Sequence, residues 1–191
     1  MRVLHIFCHP LTDSFHGAVR DAIRSAISGG GHTIDLLDLY DDGFDPALTA
    51  DERRHYFDAR RNRDGLEDYG ARLESAEALI VQFPTWCFGP PAMLKGFFDR
   101  LLIPGVAFDP KTSKPKLDNI RKIVGVVTYG QSRIVAFWMG EASRKTVTRF
   151  LPWFTGGKAK AKYLALYRID ETTESARKTF IARVERAIRA L

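Results

Sequence analysis

The chain has 191 residues, 45% of them hydrophobic and 27% charged, with a formal net charge of +6 at pH 7. That size suits one domain spanning residues 1–191, able to form a core without disulfide or metal staples, and the composition excludes general disorder. Two cysteines without a CxxC fit a reducing compartment, no apolar run reaches the ~20 residues of a membrane helix, and Met1–Phe7 is too short and interrupted for a signal peptide, so the expectation is a cytoplasmic protein and not a membrane protein.

Residues 2–7 are nearly all apolar and stop at His9-Pro10, which predicts a buried parallel strand. Ser14 is a good N-cap, and Phe15, Ala18, Val19, Ala22, Ile23, Ala26 and Ile27 follow at helical spacing until Gly29-Gly30-Gly31. Residues 33–37 predict a second strand. Residues 41–75 are charged and predict a surface excursion with helices near 51–59 and 65–75. Residues 76–83 predict the central strand, and Pro90-Pro91 open a helix over about 91–102. A proline- and lysine-rich loop at 103–120 leads to a strand at 123–128, a helix over 141–154, a strand at 163–167 and a last helix over 173–190.

Strands alternate with helices throughout, which implies a parallel sheet with right-handed crossovers and helices on both faces. The fold class expected is α/β, a flavodoxin-like three-layer doubly wound sandwich with five parallel strands in order 2-1-3-4-5. In such sheets a ligand sits beyond the carboxyl ends of the strands, between strands 1 and 3. That rule selects three loops, at residues 8–16, 83–91 and 128–133.

The first loop, Cys8 to His16, joins a strand to a helix amino end, where unpaired amides and the helix dipole favour an anion such as phosphate. Ser14 either caps the helix or donates to the phosphate, and His9 and His16 are candidate donors. No GxGxxG is present, which argues against a Rossmann dinucleotide site, and the glycines at 29–31 follow a helix rather than a strand. The second loop holds Pro84, Thr85, Trp86, Cys87 and Phe88. Its aromatics either stack on a flat ligand ring or pack under the next helix. Lysine and arginine are spread over several elements with no groove-reading motif, so nucleic acid is not an expected partner; a phosphate-bearing dinucleotide suits the charge better.

The stretch Phe83-Pro84-Thr85-Trp86-Cys87-Phe88-Gly89-Pro90-Pro91-Ala92-Met93-Leu94-Lys95-Gly96-Phe97-Phe98-Asp99-Arg100 closely resembles the signature of the NAD(P)H:quinone oxidoreductase family. His9-Pro10 with Ser14-Phe15-His16, Asp38-Leu39-Tyr40 with Phe44-Asp45-Pro46, and Pro104-Gly105-Val106-Ala107-Phe108 are similar to further family segments in the same order, over residues 1–110.

The resemblance implies a flavin-dependent enzyme that moves two electrons from NADH or NADPH to a quinone or similar acceptor, the two substrates using one site in turn. It implies a homodimer and a flavin, with FMN favoured over FAD. Carried over by position, His9, Ser14, Phe15 and His16 contact the flavin phosphate region. Pro84, Thr85, Trp86, Cys87 and Phe88 line its ring, and Thr128, Tyr129 and Gly130 complete the site. The chain departs from the family at His16, where asparagine is usual, and at Cys87, which reads as a buried, inert thiol. It has no histidine after His55, so the family's tyrosine–histidine pair for quinone reduction is absent, and Tyr129 is either the substitute donor or only a cover for the flavin. Arg133 and Lys111–Lys116 are candidates for a 2′-phosphate. Two other roles stay open: a regulatory subunit of a potassium-efflux transporter, and a flavodoxin-like electron carrier, against which the basic charge argues.

Overall fold

The computed structural model describes residues 1–191. Five strands, β1 (Arg2–Phe7), β2 (Thr33–Asp38), β3 (Ala78–Thr85), β4 (Lys122–Tyr129) and β5 (Lys160–Leu166), pair in parallel in the order β2-β1-β3-β4-β5. Both the fold class and the strand order expected from the sequence are found. Between them run α1 (Phe15–Ser28), α2 (Ala50–Arg54), α3 (Glu67–Ser75), α4 (Ala92–Leu101), α5 (Arg133–Trp138), α6 (Ala142–Lys145), α7 (Leu151–Phe154) and α8 (Glu174–Arg189).

Alternation along the strands divides the core into two layers, because successive side chains point to opposite faces. On one face Val3, Ala78, Ile80, Val124 and Val126 pack against Val19, Ile23 and Ile27 of α1 and Val184 and Ile188 of α8. On the other, Leu4, Ile6, Leu79, Val81, Phe83, Ile123 and Val127 meet Leu73, Phe97, Leu101, Leu151 and Phe154. Burial on both faces is why β3 and β4 read as continuous apolar runs. β5 is an edge strand, and its exposed Lys160 and Lys162 guard it against pairing with another chain.

Three differences from the sequence reading have local causes. The helix expected over 51–59 is only α2: a capping box between Thr49 and Glu52 starts it, and it ends at His55. β3 runs two residues further than expected and includes Pro84, which pairs with Thr128 of β4. The last β1 pairing is Phe7 with Gln82, so Pro84 lies where β3 has no β1 neighbour left and its missing amide breaks no ladder bond on that side. The helix expected over 141–154 is broken: α6 passes through a π turn at Thr146–Phe150 into α7. The Leu151 amide bonds to the Thr146 carbonyl there, a wide turn that accommodates Pro152, which has no amide to give. α5 was not expected at all; its apolar residues show no single buried side.

The charged excursion at 41–54 is fixed to α4 by Arg100, whose Nη2 lies 2.6 Å from Glu52 Oε1 and whose ring-side face covers Phe44. Gly96 lets the backbone of Pro46 press against α4: a Cβ there would lie 2.2 Å from the Pro46 carbonyl oxygen and 2.6 Å from its Cα. The obstacle is backbone and cannot swing aside. Gly96→Ala is therefore expected to lower stability by about 1–3 kcal/mol, although alanine normally favours a helix. Urea unfolding of the two proteins checks this; an unchanged or raised midpoint would refute the close approach.

Candidate active site

β1 leads to α1 on one side of the sheet while β3 leads to α4 on the other, so a crevice opens beyond the carboxyl ends of β1 and β3. The cavity there measures about 320 Å³ and is lined by His9, Ser14, Phe15, His16, Pro84, Thr85, Trp86, Thr128, Gly130, Ile169 and Asp170. All three loops selected from the sequence reach it. Ile169 and Asp170, from the short 3-10 turn after β5, were not anticipated, because nothing in a strand-to-helix connection marks it as facing a crevice two strands away.

The 8–14 loop is folded back on the helix it precedes. Gly17 permits this, since a Cβ there would overlap the Thr12 carbonyl oxygen at 1.8 Å. Ser14 is indeed the N-cap: its Oγ accepts from the Gly17 amide at 3.3 Å and donates to the Leu11 carbonyl at 2.7 Å. The Leu11 amide donates to His9 Nδ1 at 3.1 Å, which leaves His9 Nε2 free. With Ser14 committed, the amides of Phe15 and His16 at the first turn of α1 have no acceptor within the chain. They sit at the positive end of a 14-residue helix with no acidic residue in its first turn. The Phe15 ring turns away to Phe180 and Arg177 of α8.

Trp86 forms the opposite wall, 43% exposed, with its ring 6.2 Å from that of His9. It is held out by a tight turn. The Trp86 and Gly89 amides and carbonyls bond reciprocally at 3.0 and 2.9 Å, and Cys87 and Phe88 between them both adopt left-handed backbone, at φ 47° and 62°. Two consecutive non-glycine residues in that region carry strain, which the flanking hydrogen bonds and Pro90-Pro91 hold in place.

Several sequence-derived expectations are corrected. Cys87 is not buried but exposed on the turn, and neither Cys87 nor Phe88 lines the cleft. Tyr129 is only 2% exposed and points to the other face of the sheet from Thr128. Its hydroxyl bonds to Tyr163 at 2.6 Å and its ring stacks on Tyr167, so its side chain is turned away from the cleft. The buried thiol is Cys8, which its apolar surroundings push up to about 12. Arg133 and Lys111–Lys116 do not line the cleft either.

His16 does not offer its ring as a free donor. Its Nε2 lies 2.8 Å from Thr128 Oγ1 and its Nδ1 3.2 Å from Gln82 Nε2. Gln82 in turn bonds through Oε1 to His5 Nε2 at 3.0 Å. Burial, and secondarily the neighbouring His9, lowers the His16 pKa to about 3, and burial lowers that of His5 to about 4. A histidine buried neutral binds its proton only after unfolding. Stability is therefore complete above the ordinary imidazole value of 6.5 and is lost as pH falls below it, continuing toward the depressed folded values. Each ring adds up to about 1.4 kcal/mol per pH unit in that window. Unfolding free energies between pH 7 and 5 are expected to fall accordingly, and less steeply in His16→Asn; equal slopes would show that His16 is protonated in the fold.

Comparison with known proteins fits this geometry. The chain is similar to the ribosyldihydronicotinamide dehydrogenase [quinone] of Pongo abelii, at 32% identity over an alignment of 124 positions, with 56% of this chain and 54% of that protein covered. It thus spans about half the length of the curated relatives it matches. Among solved structures it is similar to a Streptococcus mutans protein at 25% identity and a TM-score of 0.88, each chain covered in full. The NAD(P)H:quinone oxidoreductase of Methanothermobacter marburgensis is similar at 27% identity and a TM-score of 0.83, over 99% of this chain and 96% of that one. The model of the flavodoxin-like fold family matches residues 1–191, and the chain belongs to that family.

Proposed function

We propose that the chain, acting as one domain over residues 1–191, is a flavin-dependent NAD(P)H oxidoreductase that passes two electrons to a quinone or similar electron-poor acceptor. The observation that carries this reading is the cleft itself. Within 320 Å³ it brings together the uncommitted amides of Phe15 and His16 and the exposed indole of Trp86. The first pair suits a phosphate and the second a flat ring, the combination that a flavin nucleotide presents. The volume is at the small end for cofactor sites, which favours FMN over FAD.

Each wall has a task. The α1 amides bind the anionic end, and the free Nε2 of His9 adds a donor beside them. Asp170, which lines the cleft beside Gly130, is an acceptor suited to hydroxyl groups of a ligand. Trp86 covers one side of the ring, and its strained turn keeps the indole from collapsing onto the sheet. Thr128 and Gly130 form the floor; Gly130 leaves room beside Asp170, whose Oδ2 would lie 3.4 Å from an added Cβ. A bound flavin supplies the hydride chemistry, taking it from a nicotinamide and returning it to an acceptor stacked in the same place. No side chain in the cleft is assigned to acceptor protonation, since Tyr129 faces elsewhere. Whether NADH or NADPH is preferred has no carrier among the cleft residues.

Purified protein is expected to bind FMN with quenching of flavin fluorescence. In stopped flow the flavin should bleach with NADH or NADPH and recolour on mixing with menadione. Failure to take up FMN, or reduced flavin that menadione does not reoxidise, would overturn the reading.

We also propose a homodimer. Ile134, Phe137, Trp138 and Met139 of α5 and its end are 55–83% exposed, directly after the cleft loop at 130–132. Phe150 and Trp153 are exposed as well, beside Arg149 and Lys145. Such a concentration of exposed aromatics with basic residues suits an interface more than a free surface. Sedimentation equilibrium at micromolar concentration is expected to give twice the chain mass, with Trp138→Lys shifting it toward the single chain; a wild-type monomer would refute this.

A further inference from the structure

The cleft floor carries a buried polar chain whose direction can be worked out atom by atom. Gln82 is fully buried, and its side-chain nitrogen lies 2.7 Å from the His16 carbonyl oxygen, which can only accept. That contact fixes which end of the amide is nitrogen. The same nitrogen has one further hydrogen, and His16 Nδ1 receives it at 3.2 Å. His16 Nδ1 is therefore an acceptor, and the ring of a neutral His16 carries its proton on Nε2. Nε2 then donates to Thr128 Oγ1 at 2.8 Å. At the far end Gln82 Oε1 must accept, so His5 carries its proton on Nε2, 3.0 Å away.

Each bond in this series donates in one sense, from His5 through Gln82 and His16 to Thr128. Thr128 Oγ1 receives a hydrogen from His16, its own hydrogen has no acceptor within the chain, and the residue lines the cleft. We infer that His16, held by Gln82 and His5, is a positioning residue that locks the Thr128 hydroxyl as a hydrogen-bond donor toward an acceptor oxygen of the bound ligand. A lone threonine hydroxyl would have both lone pairs and its hydrogen to offer; here His16 fills one lone pair, which biases the hydroxyl toward donating before the ligand arrives.

Two observations stand behind the assignment. Burial keeps both rings neutral, so the series does not reverse within the ordinary pH range. His5 Nδ1 is buried without any partner. An unsatisfied buried acceptor is costly, and a leucine at this apolar position would avoid it. What His5 supplies in exchange is the Nε2 hydrogen that holds the Gln82 oxygen.

The identity of the ligand rests on the flavin reading above, whereas the direction of the series does not. Two measurements separate them. Long-range nitrogen–proton NMR of histidine-labelled protein without ligand is expected to show His16 and His5 as neutral Nε2–H tautomers between pH 6 and 8. An Nδ1–H tautomer at His16 would overturn the inference whatever the ligand. FMN titration followed by flavin fluorescence is expected to give a Kd about tenfold higher for Thr128→Val, the loss of one donor to an oxygen, and to leave Thr128→Ser within threefold of the wild type. A Thr128→Val protein that binds FMN within twofold of the wild type would also overturn it. A wild-type protein that ignores FMN while showing the Nε2–H tautomers would instead sink the flavin reading and leave the direction of the series standing.

Discussion

Parallel pairing of β1 with both β2 and β3 sends the chain away from β1 in opposite directions, and the site follows from that geometry. No crossover covers the gap beyond β1 and β3, so α1 begins there with amides that nothing in the chain can satisfy. Loops from β1, β3 and β4 must all end at the same opening because the strands are parallel. A helix amino end, an aromatic wall and a threonine floor then share one cavity without any of them being close in sequence. The chemistry proposed here depends on this placement more than on any individual side chain.

The interior beneath the cleft is less uniform than the sheet around it. Elsewhere the strand residues on the face covered by α1 and α8 are valine, isoleucine, leucine and alanine. Near the cleft it changes to His5, Gln82, His16 and Thr128, all buried and bonded in series. Polar groups in such a place are stabilising only when nearly every partner is supplied, and here a single ring nitrogen of His5 is left over. The other face meets no such demand. There Tyr129, Tyr163 and Tyr167 pack together, and burial raises the phenols of Tyr163 and Tyr167, which keeps them uncharged. Adjacent residues of one strand, Thr128 and Tyr129, therefore belong to different environments, one toward the cleft and one away.

Strain and exposure both collect at the cleft rim. The left-handed pair Cys87 and Phe88 presents Trp86, and α5 carries its aromatics outward just beyond Gly130. Neither feature helps an isolated chain to fold. Both make sense where a ring ligand and a second subunit meet at the same edge, which is the arrangement proposed. No helix of the chain is long and apolar enough to cross a membrane.

Much of this was legible in the sequence. Apolar runs of strand length alternating with helical spacing pointed to the fold class, because burial on two faces and burial on one leave different periods, and the count of five strands matched the doubly wound order 2-1-3-4-5. The three cleft loops followed from topology, and Ser14 as a cap followed from its chemistry and place. What only the tertiary structure decided was direction. The sequence cannot say that Tyr129 faces Tyr163 while Thr128 faces the cleft until the register of β4 is known. Nor can it say that Cys87 is exposed until a turn with two left-handed residues is seen, or that His16 spends both ring nitrogens on Gln82 and Thr128. Those partners lie 66 and 112 residues away along the chain. Local sequence sets periodicity and capping, whereas the partner of a side chain is set by which distant strand lies beside it.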